Sequence, residues 1–421
     1  MPNQTTQFRN EIKLFLQAGL LIFIFTVGVG ILNGLDVVDF DRKMLMAHVH
    51  AGTLGWITLG FIAVCLWIFS EGQAVTGWRA AAPRWLGIAA AVSIAFYAYA
   101  FYTGNLDLRL AGGSLTLAAI VGFYVWIVVQ MRGATLSTPR LGMFAAATTL
   151  TIGSVLGVML GIWLKGGLQS LPRGIFVTHP TTMVVGYLVL AGMALSEWRL
   201  DPESAGKPTS KAGWAQVALP FIGGLVLTAG ALTNNQMIIG MYIPLQVIGV
   251  IIYLIRLGPK MLAASWLAGG PARHYAISAV FLVANVGLIT YLIVNFVSGA
   301  YGDPPDFALI PSWLVFAMDH AMFIGVMTNG LFGLVSEAAR TPSTTFHSAQ
   351  DARLWPWADH ALFWGMNVGA IGFVVGLMQK SAPIKQVFAP IMGTAILIAI
   401  VTYTLRLQAR SRVVTAQAEA Q

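Results

Sequence analysis

The chain reads as an all-α polytopic membrane protein of twelve spanning helices, and three observations predict it. Of its 421 residues 57% are hydrophobic and only 10% are charged, too few charges to cover a soluble surface of that size. Apolar runs recur along the whole length, each long enough at ~1.5 Å per residue to cross a hydrocarbon core ~30 Å thick. The basic residues between the runs fall mostly on alternate sides, as orientation in a bilayer requires. Helix is the only state these runs can take, because each must satisfy its own backbone in lipid.

The runs fall near residues 14–34, 45–70, 84–103, 113–131, 141–164 and 175–197, then 213–232, 237–256, 274–299, 311–336, 357–379 and 386–406. The first follows a polar stretch, MPNQTTQFRNEI, is too long for a signal h-region and lacks a small-residue cleavage site, so it reads as a retained helix. The second opens on MLMAHVHAGTLGW and carries the single cysteine, Cys65. One thiol excludes an intramolecular disulfide and a thiolate-rich cluster, and Cys65 reads as a small packing residue. Arg84 opens the third run, Arg132 closes the fourth, and Arg140 and Lys165 bracket the fifth. The sixth contains GIFVTHPTTMVVGYL. A TNNQ turn, Thr233 to Gln236, separates the seventh from the eighth, which ends at Arg256. The ninth begins at His274, and the tenth contains VFAMDHAMFIGVMTN. Lys380 and Lys385 separate the last two. The 45 glycines suit helices that approach closely. No break is long enough for a soluble domain, so residues 1–421 read as one integral membrane domain.

With the N-terminus inside, the cytoplasmic segments hold 17 of the 24 basic residues; the outer segments hold Arg42, Lys43, Arg109, Lys165, Arg173, Lys380 and Lys385. Both termini are then cytoplasmic, and the net charge of +8 needs no nucleic-acid partner. The composition fits an integral protein of a bacterial inner membrane.

Under this topology the second, sixth and tenth helices all start at the outer face and carry histidine in their first turns: His48 and His50, His179, and His320. The separations His48–His179 and His179–His320 are close to equal, which suggests three arcs of four helices presenting histidine at one level. A lone histidine near a helix end is more often a hydrogen-bonded interfacial residue, but four at one depth suggest a metal or haem site. At 100° per residue His48 and His50 point ~200° apart and cannot share one centre. The face of His48 continues through Ala51, Gly52 and Gly55, small enough to admit a flat macrocycle. That of His50 is bulkier and its role stays open. His274, His347 and His360 fall at cytoplasmic helix ends or in a loop.

At these motifs the chain resembles subunit I of the haem–copper oxidase superfamily, which includes cytochrome oxidases and nitric oxide reductases. KMLMAHVHAGTLGW looks like the family's helix-2 motif and AMDHAMFIG like its helix-10 motif. The resemblance implies a twelve-helix bundle with pseudo-threefold arcs and a low-spin haem, guessed b-type, held by His48 and His320. It also implies His179 as a possible copper ligand, with basic propionate partners at Lys380 and Lys385. Lipid headgroups would attract the same lysines. Met318 stands where the family's high-spin haem ligand would be, and the TNNQ turn stands where its copper-binding His-His pair would be. Copper is therefore doubtful, and His50 with His179 is the remaining candidate metal pair. No carboxylate or lysine lies deep in the bundle to relay protons; Asp319 is the deepest, either supporting His320 or favoured by the helix dipole.

Three functions are consistent with this reading. The first is a haem-binding redox protein served by an electron-donor protein or quinol. The second is a terminal oxidase or nitric oxide reductase with an unusual second centre. The third is a metal-ion carrier, which would ordinarily need intramembrane carboxylates and broken helices. The repeat of DHAMFIG (319–325) as DHALFWG (359–365) falls at the opposite membrane face, so Asp359 and His360 are expected to be structural.

Overall fold

The computed structural model describes residues 7–303, 305–340 and 356–419. His347, Arg353 and Trp355 lie outside the described residues. Twelve helices are long and apolar enough to cross a membrane: α1 (Arg9–Gly34), α2 (Arg42–Ser70), α3 (Trp78–Thr103), α4 (Leu106–Met131), α5 (Thr138–Leu164), α6 (Ile175–Leu200), α7 (Lys211–Thr233), α8 (Gln236–Leu262), α9 (Pro271–Val297), α10 (Ser312–Ala339), α11 (Trp357–Met378) and α12 (Ala382–Gln408). Nine contain a predicted run whole, and α9, α10 and α11 miss one end of theirs by one or two residues. Among the described residues there is no strand. The chain is an all-α polytopic membrane protein.

The helices form three arcs, α1–α4, α5–α8 and α9–α12, joined where α4 meets α5, α8 meets α9 and α12 meets α1. The second helix of each arc lies at the centre. α2 touches α10 and α10 touches α6, while α2 meets α6 through Phe61 edge-on to Tyr187. Their sequences explain the placement: from Ala51 to Ser70 every residue of α2 except Thr53 is buried, and nearly all are apolar or small, a composition that suits a helix surrounded by others. The outer helices instead turn leucine, isoleucine and valine outward, where lipid replaces water as the solvent.

The three central helices share one irregularity. In α2 a nine-residue α-helix (Arg42–His50) gives way to an eight-residue π-helix (Ala51–Thr58), then to twelve residues of α-helix (Leu59–Ser70). In α10 the lengths are the same: Ser312–His320, Ala321–Thr328, Asn329–Arg340. In α6 they are seven, seven and twelve: Ile175–Thr181, Thr182–Leu188, Val189–Leu200. Pro180 contributes in α6 by removing a backbone donor. In α2 and α10 a threonine hydroxyl at the end of the segment donates to the carbonyl five residues back, Thr58 to Thr53 (3.0 Å) and Thr328 to Phe323 (2.7 Å). Such segments concentrate at functional sites.

The segments are also fastened to one another. The Trp56 indole Nε1–H donates to Thr328 Oγ1 at 3.1 Å, with both side chains wholly buried. Thr328→Val leaves that donor without a partner and is expected to cost about 1–3 kcal/mol, read as a lower denaturation midpoint in detergent. Adding Trp56→Phe should recover part of the loss.

At the end of the bundle assigned to the cytoplasm, Arg140 donates to the terminal carbonyls of α2, Ile68 and Glu71, both at 3.0 Å. Arg199 of α6 stacks on Trp67 of α2 and pairs with Glu337 of α10 at 3.0 Å. This end is locked by structural ion pairs, and His48, His50, His179 and His320 lie at the other.

Candidate functional site

Aligning the central helices on the glycines of their π segments, Gly55, Gly186 and Gly325, puts His48, His179 and Met318 at one position and His50, Thr181 and His320 two residues later. His320 and His50 each close a nine-residue first segment, a depth of about 12 Å at the usual helical rise. The sequence-predicted residues therefore sit at one level.

The structure sorts the four histidines into two pairs. His48 and His320 are electrostatic neighbours, as are His50 and His179. Each pair joins a first-position histidine to a second-position histidine on the next central helix. The two rings of HVH face apart, His48 towards α1 and α10, His50 towards α3 and α6. In the third interface, between α10 and α6, the corresponding residues are Met318 and Thr181.

In the first pair, His320 Nδ1–H donates to the Phe316 carbonyl at 2.7 Å, and its ring leans on Phe373 of α11 at 4.7 Å between centroids. A carbonyl can only accept, so the proton is on Nδ1 and the Nε2 lone pair is free. This is the tautomer a metal-binding imidazole takes when its second nitrogen is held by the backbone. The His48 ring lies beside the Thr26 carbonyl of α1, although its buried Nδ1 makes no well-formed hydrogen bond. Gly30, one turn on from Thr26, faces the same ring; a Cβ there would lie 3.4 Å from His48 Cε1.

In the second pair, His50 Nδ1–H donates to the Met46 carbonyl and His179 Nδ1–H to the Gly153 carbonyl of α5, both at 2.8 Å. Phe101 of α3 stacks on His50 at 3.8 Å and Tyr97 meets it edge-on. The Arg109 guanidinium caps the far side of this cluster, 4.2 Å from the Phe101 centroid.

Two sequence expectations need correction. Gly52 and Gly55 do not line a macrocycle site: a Cβ at Gly52 would come 2.9 Å from Thr26 Cγ2, and one at Gly55 2.4 Å from Ile22 Cγ2. They let α1 pack closely on α2, on the same side of the helix on which His48 meets Thr26 and Gly30, so α1 fills that face. Asp319 does not accept from His320 Nδ1, which is taken by the Phe316 carbonyl. The basic residues at the α11–α12 turn already have partners. Lys385 pairs with Asp36 at the end of α1, and Lys380 lies over the Trp313 ring at 5.3 Å. Hydrogen bonds from Lys385 and Gln386 hold the Asp36 carboxyl below its ordinary range. The clasp is therefore complete above the usual carboxylate pKa and is lost as pH falls through the lowered value.

The other described histidines are structural. His274 is buried and pairs with Asn329, itself joined to Asn367. His360 meets Arg273 at 3.2 Å, and Asp359 pairs with Arg406 at 2.6 Å. The second DHA motif thus lies among residues assigned to the cytoplasmic side, as expected.

Sequence reasoning missed Gly30, Phe373, Phe101, Gly157 and Arg109. None lies on a central helix and no motif marks them; only their contacts around the four histidines identify them. Among the described residues no three His, Cys, Asp or Glu side chains gather in a group able to hold a metal ion. No protein-family model matches the chain, and no characterised protein matches it in sequence.

Proposed function

We propose that the chain is a membrane redox protein that holds a low-spin b-type haem between His48 and His320. We further propose that it is a divergent relative of subunit I of the haem–copper oxidase superfamily. The observation that carries this reading is two neighbouring imidazoles with no group of three protein ligands among the described residues. Zinc or copper held by protein alone needs three or four side chains. A haem brings four nitrogens of its own and asks the protein for two axial ligands. His320 has its lone pair aimed by the Phe316 bond, His48 has a buried Nδ1 free to settle on Thr26, and Gly30 leaves the His48 ring uncrowded.

When bound, the haem supplies reversible one-electron chemistry. The residues of this chain set the tautomers, hold the rings and exclude water. Met318 and the TNNQ turn, in place of the ligands of a second reduction centre, favour electron transfer over an oxidase or reductase reaction. The donor is then a small redox protein or a quinol in a bacterial inner membrane.

Reduced-minus-oxidised spectra of protein purified from a haem-replete host test the proposal. A six-coordinate low-spin signal is expected, and the contribution of the haem held by His48 is lost in His48→Ala. Purified protein without haem would falsify it. Consumption of oxygen or nitric oxide at enzymatic rates would replace it with the oxidase reading.

A further inference from the structure

We infer that His50 and His179 hold a second haem, in a site that repeats the first around the bundle axis. The inference takes its ligand class from the reading of His48 and His320, but its geometry stands separately, on five correspondences.

His179 occupies in α6 the position that His48 occupies in α2, seven residues before the π-segment glycine. Beside His48 the first helix of its arc places the Thr26 carbonyl and, four residues later, Gly30. Beside His179 the first helix of the next arc places the Gly153 carbonyl, accepting from Nδ1 at 2.8 Å, and, four residues later, Gly157. His50 repeats His320: each donates Nδ1–H to the carbonyl four residues back. Each also packs on a phenylalanine from the third helix of an arc, Phe101 or Phe373. Finally, each site has a basic residue in or just beyond the turn that follows that phenylalanine's helix, Arg109 or Lys380. The third interface carries no histidine at either position, so the repetition is confined to two sites.

The chemistry favours a tetrapyrrole over a bare ion here as well. The pair has only two ligands, and Arg109 is an electrostatic neighbour of His50. A guanidinium opposes an isolated metal cation but matches the carboxylates of a haem edge. Gly157 is required at its position, because a Cβ there would come 2.9 Å from His179 Nδ1 and 3.0 Å from Cε1.

The test is the haem and copper content per chain of the detergent-purified full-length protein, for wild type and for single variants that remain monodisperse. Two haems are expected, with one lost in His50→Ala or His179→Ala and the other lost only in His48→Ala. His179→Met keeps a ligand and should shift the spectrum of one haem without loss, so the test survives if alanine variants do not fold. Arg109→Gln should lower the reduction potential of that haem alone, since a positive charge beside it favours the reduced form. One haem, lost in His48→Ala and unchanged in His50→Ala, overturns this inference and leaves the first site standing. One haem plus one copper that disappears in His50→Ala overturns it in favour of a metal-ion site. One haem lost only in His50→Ala supports it and overturns the first site. No haem at all overturns both.

Discussion

Glycine at position 320 is expected to lower haem occupancy of the His48 site at least about tenfold, the equivalent of ~1.4 kcal/mol or more of lost binding. Imidazole added to the buffer should restore the six-coordinate low-spin spectrum. The expectation follows from how His320 is held. Its Nδ1–H is fixed on Phe316 and its ring rests on Phe373, so removing the side chain leaves a space of imidazole shape beside an intact helix. His48 then remains as the only axial ligand from the protein. Glycine itself weakens a helix interior by about 1 kcal/mol, and His320→Ala controls for that cost. An unchanged spectrum in both variants, before any imidazole is added, would show that His320 ligates nothing.

The second large effect is on stability and lies at the opposite end of the bundle. Glu197 is buried, with Oε1 2.6 Å from Arg256 Nη2, and Oε2 accepts from Gln216 Nε2 at 2.7 Å and Arg256 Nη1 at 3.2 Å. Every oxygen lone pair that matters is used, which is the condition under which a buried pair tolerates its desolvation. Glu197→Ala leaves the largely buried Arg256 guanidinium with only Gln216 Oε1 of its present partners and is expected to cost ~3 kcal/mol. The exposed pair of Glu203 with Lys207 gives the contrast; Glu203→Ala should change stability by no more than about 0.5 kcal/mol. Denaturant titration in detergent separates the two, and equal effects would refute the argument from burial.

The helical spans were legible because hydrocarbon thickness leaves one solution for a run of twenty apolar residues. The level of the histidines was legible for the same reason: once each span start is known, depth is a matter of counting residues. What covers each face was not. The face of His48 runs on through Gly52 and Gly55 as counted, but α1 already covers it, with Thr26 and Ile22 against those glycines, and which helix covers a face is not written in that helix's own sequence. Sequence period cannot reveal a change of winding stabilised by Thr58 and Thr328 bonding five residues back. Nor could it reveal that Thr26 and Gly30 on α1 repeat as Gly153 and Gly157 on α5, since the two helices share no motif. The pairing of His48 with His320 came from resemblance, and His50 with His179 was the candidate pair left over; the contacts that hold each ring needed coordinates.

The HVH sequence gives α2 a mechanical role. A packed helix moves as a stiff rod, and here its two imidazoles project from opposite flanks toward different neighbours. Any tilt or roll of α2 therefore acts as a lever with His48 on one arm and His50 on the other. Closing the gap to His320 cannot be done without altering the gap to His179, and by reciprocity the converse holds. The two pairs thus share one short stretch of backbone, His48–Val49–His50.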